Sequence, residues 1–270
     1  MSEINLSLLI YGLVIGLGAG CAGGILAGLA GVGGGLIYVP VFYAFMPSTA
    51  HGISFQILAS LLAIVLTGYF SSRSHYRLGH IHKASCRQLL PGLIIGATLG
   101  LWSTLQVSEV LVLFFLGSLD LWIAVDYGRS IKIAEHHHER WLAIFSGPIG
   151  FASGLLGVGG GTMLVPLLRR SLSLRQAVGT SALCGVVMAF SAVGLNMLFE
   201  SAWQSAMHQQ WMFLAGALSG ILLILPRATS WAAELHQQVP EHILRIVLKI
   251  LFLSLASGLF IAALTNVYTQ

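Results

Sequence analysis

Residues 28–42 read GLAGVGGGLIYVPVF, and residues 154–168 read GLLGVGGGTMLVPLL. At this offset of 126, nine of the fifteen positions are identical. The correspondence continues beyond the motif. AHGIS at 50–54 pairs with AVGTS at 177–181, and Gly92 and Gly96 in PGLIIG pair with Gly216 and Gly220 in AGALSG. Three matches in the same order along one chain indicate an internal duplication. The polar stretch at 127–140 separates the copies, so residues 1–135 form the first repeat and 136–270 the second, within one membrane domain.

The sequence around these motifs is apolar. Of the 270 residues, 56% are hydrophobic and 8% charged, with a mean hydropathy of +0.87. Soluble domains carry roughly 25% charged residues, which excludes an ordinary water-solvated surface. Apolar runs at 6–30, 53–70, 110–125, 178–199, 211–225 and 243–264 approach or reach the ~20 residues needed to cross a bilayer as a helix. The short alternating segments of a membrane barrel are absent from the pattern. These features predict an all-α, multi-pass integral membrane protein of about eight transmembrane segments, two of them glycine-broken hairpins.

The start, MSEINLS, lacks the basic region of a cleavable signal, so none is expected. Cys21, Cys86 and Cys184 have no metal-like spacing and read as small packing residues, with no metal site and no cofactor expected. The formal charge of +4 calls for no nucleic-acid partner, because the basic residues cluster in short loops.

Those loops orient the chain. Arg73, Arg77, Lys83 and Arg87 form one cluster, and Arg129, Lys132 and Arg140 another. Residues 169–175 and 227–245 are also basic, whereas 46–52, 103–109, 200–210 and both ends of the chain lack Lys and Arg. By the positive-inside rule the basic loops face the cytoplasm. The loop after the first GVGGG then faces out and the loop after the second faces in, the pattern of an inverted-topology repeat. The run at 6–30 is long enough to cross the whole membrane, which makes the first hairpin asymmetric or reverses the N-terminus.

Four glycines in five residues interrupt a helix. Irregular backbone persists at membrane depth only where protein buries it or a polar cavity receives it. If each hairpin turns at GVGGG, new helices begin near the midplane at Leu36 and Thr162, with unpaired N–H groups and the positive ends of their dipoles. Two such ends arriving from opposite faces make an anion-sized site built largely of backbone. The expected substrate-binding positions are Gly31, Gly33, Gly34, Gly35 and Leu36 with Gly157, Gly159, Gly160, Gly161 and Thr162. Hydroxyls of Ser54, Thr180 and Ser181, at the starts of the following helices, either cap those helices or donate to substrate oxygens. Pro40, Pro166, Gly52 and Gly179 are read as structural.

Asp120, inside the apolar run LGSLDLWIAVDYG, is a candidate for proton or ion coupling. The triplet His136, His137 and His138 reads as a solvated loop cluster. No lysine followed by a hydroxyl residue trails the glycines, so nucleotide binding is excluded, and no constellation of catalytic side chains stands out: the chain is not an enzyme.

The duplicated G-x-x-G-V-G-G-G-x-x-x-V-P motif, the following A-x-G-[IT]-S and the later G-x-x-x-G helix resemble the TauE/SafE family. The likeness covers nearly the whole chain. It implies a permease of a bacterial or archaeal cell membrane handling sulfite, organosulfonates or other small sulfur-containing anions. Its matching positions here are Gly31, Gly33, Gly34, Gly35, Pro40, Gly52 and Ser54, and Gly157, Gly159, Gly160, Gly161, Pro166, Gly179 and Ser181. The expected function is secondary transport, as an exporter, of such an anion by alternating access. The expected partners are the lipid bilayer, the anion, a coupling ion and a second copy of the chain. A non-transporting membrane assembly or accessory factor handling sulfur or metal is the alternative reading, and the histidine loop would then carry the function.

Overall fold

The computed structural model describes residues 2–30, 34–47, 52–126, 140–238 and 241–269. Gly31, Gly33, His51 and the histidine triplet lie outside the described residues, as does the repeat boundary. Every regular element among the described residues is an α-helix: α1 (Ser2–Ala30), α2 (Gly35–Phe45), α3 (Gly52–Arg77), α4 (Lys83–Ser103), α5 (Glu109–Asp126), α6 (Arg140–Leu156), α7 (Gly161–Leu168), α8 (Leu174–Phe199), α9 (Ser201–Gln238) and α10 (Glu241–Thr269).

Six of these, α1, α3, α4, α8, α9 and α10, are long and apolar enough to cross a membrane. The eighteen-residue α5 holds Glu109, Asp120 and Asp126 and is more acidic than the six. The half-helices α2 and α7 have eleven and eight residues. The first hairpin is asymmetric: α1 runs unbroken for 29 residues, about 43 Å at 1.5 Å per residue, whereas α6 has 17.

Glycines set the tightest helix contacts. A β-carbon on Gly12, Gly16 or Gly20 of α1 would strike the α9 backbone at Phe213, Ala217 and Ile221 in turn, so the two helices run parallel in close backbone contact. The α4–α6 pair is built the same way: Gly96 and Gly100 abut the Gly147 and Phe151 carbonyls, and Gly154 abuts that of Ala97. Small residues permit this approach, and close van der Waals packing then holds helices together where lipid removes the hydrophobic drive.

Exchanging α1–α5 with α6–α10 turns the α1–α9 contact into the α6–α4 contact. It turns α3–α9 into α8–α4, and returns α3–α8 and α5–α10 to themselves; all of these pairs pack together. The helices α5 and α10 are antiparallel, with Phe114 edge-on to Phe260 and Glu109 bonded to Asn266. The outer surface is rich in exposed large apolar side chains, among them Ile10, Ile95, Phe115, Phe190 and Ile261, as a bilayer-facing surface requires.

The helices α4 and α8 run parallel in a fixed register. The backbone N–H of His82 donates to Thr180 Oγ1, and Asn196 Nδ2 donates to the Thr98 carbonyl; both pairs are 98 residues apart. The same register brings the buried thiols of Cys86 and Cys184 beside each other. All three cysteines are free. Copper–phenanthroline oxidation is expected to join these two within one chain, leaving Cys21 alone to react with a maleimide. Three reactive thiols after oxidation would place α4 and α8 elsewhere.

Candidate anion-binding site

Each glycine break ends one helix and starts another at once. In the second, Gly157 and Gly159 adopt φ of +64° and +69°, the left-handed region that side chains disfavour. The new helices then begin at Gly35 and Gly161, behind caps Gly34 and Gly160 that have no side chain to satisfy the first N–H groups. Pro40 and Pro166 lie inside these half-helices and donate no hydrogen bond to the carbonyls four residues back, those of Leu36 and Thr162. Both helix starts therefore offer acceptors beside their donors.

The two breaks meet. A β-carbon on Gly35 would overlap the Val158 carbonyl. One on Gly157 would touch Val39 of α2 and Ile57 of α3, and one on Gly159 would touch Ile64. Gly160 faces Gly185, and Ser60 Oγ donates to the Gly157 carbonyl at 2.7 Å. Ile64 lies at the middle of the 26-residue α3, and Gly185 at the middle of the 26-residue α8. The contact is thus at mid-height of the bundle. From it α2 runs toward one end, where Tyr43 Oη donates to Glu109 at 2.9 Å, and α7 toward the other. Gly34, Gly35, Leu36, Gly159, Gly160 and Thr162 are buried there, and Gly161 is half-buried. Thr162 Oγ1 donates to the Gly159 carbonyl.

Of the hydroxyls expected to assist, Ser54 is turned away from the breaks, whereas Ser181 stands one turn before Gly185 on α8. Ser54 Oγ donates to the Thr104 carbonyl at the far end of α4, and Gly52, at φ +47°, sits against Glu109 nearby. Thr180 accepts from His82 N, Ser181 donates within its own helix to Val178, and Gly179 packs on His75 and the His80 carbonyl. Gly68 of α3 lies level with Ala182 of α8. Ser54 is therefore roughly 20 Å along α3 from Ser181. The two stand on antiparallel helices, Ser54 near the start of α3 and Ser181 one turn from the middle of α8.

Ser60 of α3, bonded to Gly157, is buried at the second break, where Gly185 leaves room, and Tyr38 of α2 is buried beside Gly34, with Thr67 of α3 behind it. In the sequence, Gln56, Ser60 and Thr67 form a polar stripe spaced at i, i+4 and i+11 in an apolar helix, the pattern that could have marked them. Asp120 is on α5, an element that holds neither break. It is fully buried, and neither carboxylate oxygen has a hydrogen-bond partner among the described residues.

The family model for the sulfite exporter TauE/SafE matches residues 16–259. A probable membrane transporter protein of Haemophilus influenzae is 32% identical over 200 residues, covering 68% of this chain and 72% of the relative. One of Methanocaldococcus jannaschii, MJ0441, is 26% identical over 83% of this chain and 86% of its own length. The probable membrane transporter protein YtnM of Bacillus subtilis is 30% identical over 66% of this chain and 62% of its own. No solved structure matches.

Proposed function

The chain belongs to the sulfite exporter TauE/SafE family, and we propose that it is a secondary transporter, acting as an exporter, of small sulfur-containing oxyanions such as sulfite or an organosulfonate. One observation carries this reading: two half-helices begin at glycine caps, and the start of the first abuts the break that precedes the second, at mid-height, through Gly35 and Val158. The backbone N–H groups of Gly34, Gly35 and Leu36, with those of Gly159, Gly160, Gly161 and Thr162, hold the anion. The two positive dipole ends supply the field, as at the broken helices of other transporters.

The repeats are inverted in this reading. The pairs α1–α9 and α6–α4, each held by glycine contacts, move as units against the α3–α8 pair. Such rocking opens the midplane site to one face and then the other. The contact pattern that survives exchange of the two halves supports it, as do the opposite directions of α2 and α7. Single cysteines at Gln106 and Leu172, in a background without the native ones, are expected to label from opposite sides of the membrane. Labelling from the same side removes the inversion.

The decisive experiment is anion flux into proteoliposomes of purified protein, comparing sulfite, sulfoacetate, taurine, thiosulfate and sulfate with and without a proton gradient. Selective flux of one or two of them is expected. No flux of any, from monodisperse folded protein, overturns the transport reading in favour of an assembly factor.

A further inference from the structure

The caps of the two half-helices are used alike but furnished differently. Four residues past Gly34 stands Tyr38, and four past Gly160 stands Leu164. Each side chain leans back toward its own helix start, as helical side chains do, and covers its glycine. A β-carbon on Gly34 would lie 2.7 Å from the Tyr38 hydroxyl oxygen, and one on Gly160 would lie 2.7 Å from Leu164 Cδ1. At the same place in the two copies, one half-helix carries a phenol and the other a methyl group.

The phenol is held tightly. Tyr38 is fully buried, with Phe42 stacked at 6.4 Å one turn on and Gly23 of α1 against its hydroxyl. Thr67 of α3 faces that hydroxyl, while its own Oγ1 is turned to the Ile64 carbonyl at 3.3 Å. No hydrogen bond of regular geometry satisfies the Tyr38 hydroxyl among the described residues. A buried hydroxyl without a partner is destabilising, and phenylalanine fills the same space without that cost. A tyrosine kept here, at the positive end of a helix, has its O–H aimed where a ligand oxygen would lie.

We infer that Tyr38 is a specificity-determining residue of the anion site, its phenol O–H donating to an oxygen of the anion held at the start of α2. Leu164 covers the start of α7 with an aliphatic group instead. The site is therefore polar on one side and aliphatic on the other, and it orients an anion with its oxygens toward α2. This inference rests on the transport reading and adds to it a side chain that selects and orients the ligand.

The test compares Tyr38→Phe, Thr67→Val and the wild-type protein in proteoliposomes, with sulfite and sulfoacetate as probes and thermal melting as the control. Tyr38→Phe is expected to melt at or above the wild-type temperature while its KM rises roughly tenfold or more, the usual scale for one hydrogen bond to a charged group. Thr67→Val is expected to change KM by less than threefold. Wild-type flux with an unchanged KM in Tyr38→Phe overturns the assignment and leaves the transport reading standing. Equal losses in the two variants also overturn it, because the phenol would then only brace α2 against α3. No flux of either probe, or of any other anion, from the wild-type protein overturns both readings.

Discussion

Gly35→Ala is expected to abolish anion flux, by at least a hundredfold, at unchanged abundance in the membrane. The added methyl would occupy the position of the Val158 carbonyl and would lie 2.9 Å from Ile64 Cδ1. The first of these is backbone, so no rotamer change relieves it: either α2 withdraws from the second break or Val158 turns away. Overpacking of this kind costs roughly 1–3 kcal/mol, which a bundle of this size can survive. The function does not survive it, because the site consists of the approach itself.

The neighbouring glycine provides the contrast. The nearest neighbours of a methyl on Gly160 are the movable end of Leu164, at 2.7 Å, and the Gly185 α-carbon at 3.6 Å, so Gly160→Ala is expected to keep a substantial part of the flux. Gly160→Leu has no such room and is expected to lose it. Flux per inserted molecule, with melting temperature and elution profile as controls, checks the whole series. If Gly35→Ala does not fold, the difference between alanine and leucine at Gly160 still decides the point. Wild-type flux in Gly35→Ala or in Gly160→Leu would sink the midplane assignment.

What the sequence disclosed, and what it hid, follows from how the two copies are related. The breaks at GVGGG were legible because glycine has few uses in the middle of an apolar helix, and their duplication implied that both matter. The same logic pairs Ser54 with Ser181, since AHGIS matches AVGTS, but the two stand on oppositely running helices, α3 and α8, and only Ser181 lies within a turn of a break-facing residue, Gly185. Gly35 and Val158, whose positions in the two motifs do not correspond, do come together.

Two further features were beyond local pattern. Cys86 and Cys184 meet because α4 and α8 happen to run parallel at a register of 98, a spacing with no local meaning. Tyr38 departs from the repeat, where Leu164 is its equivalent, and departures stand out only once the shared geometry around Gly34 and Gly160 is known.

Asp120→Asn is expected to leave the protein folded and able to exchange its anion, while the response to a proton gradient disappears. The side chain lies three residues beyond Gly117, which packs on Ala256 and Phe260, so it shares the α5 face directed at α10. Among the described residues, those of α10 that are buried are Phe252, Ala256, Leu259 and Ala263, none of which can pair with a charge. A bare carboxylate at membrane depth costs at least a few kcal/mol, so this one must either hold a proton or move to where water or a cation meets it. Those two states are what a proton-coupled cycle needs. Asparagine has nearly the same shape, breaks no ion pair among the described residues, and cannot take up or release the proton. Flux driven by a pH gradient should therefore fall to the level measured without one, with equilibrium exchange of the anion preserved. If the variant instead concentrates the anion under the gradient as the wild-type protein does, Asp120 is a packing residue and the coupling group lies elsewhere. If exchange is lost as well, with the melting temperature unchanged, the carboxylate belongs to the path of the anion itself, and the midplane site extends to α5.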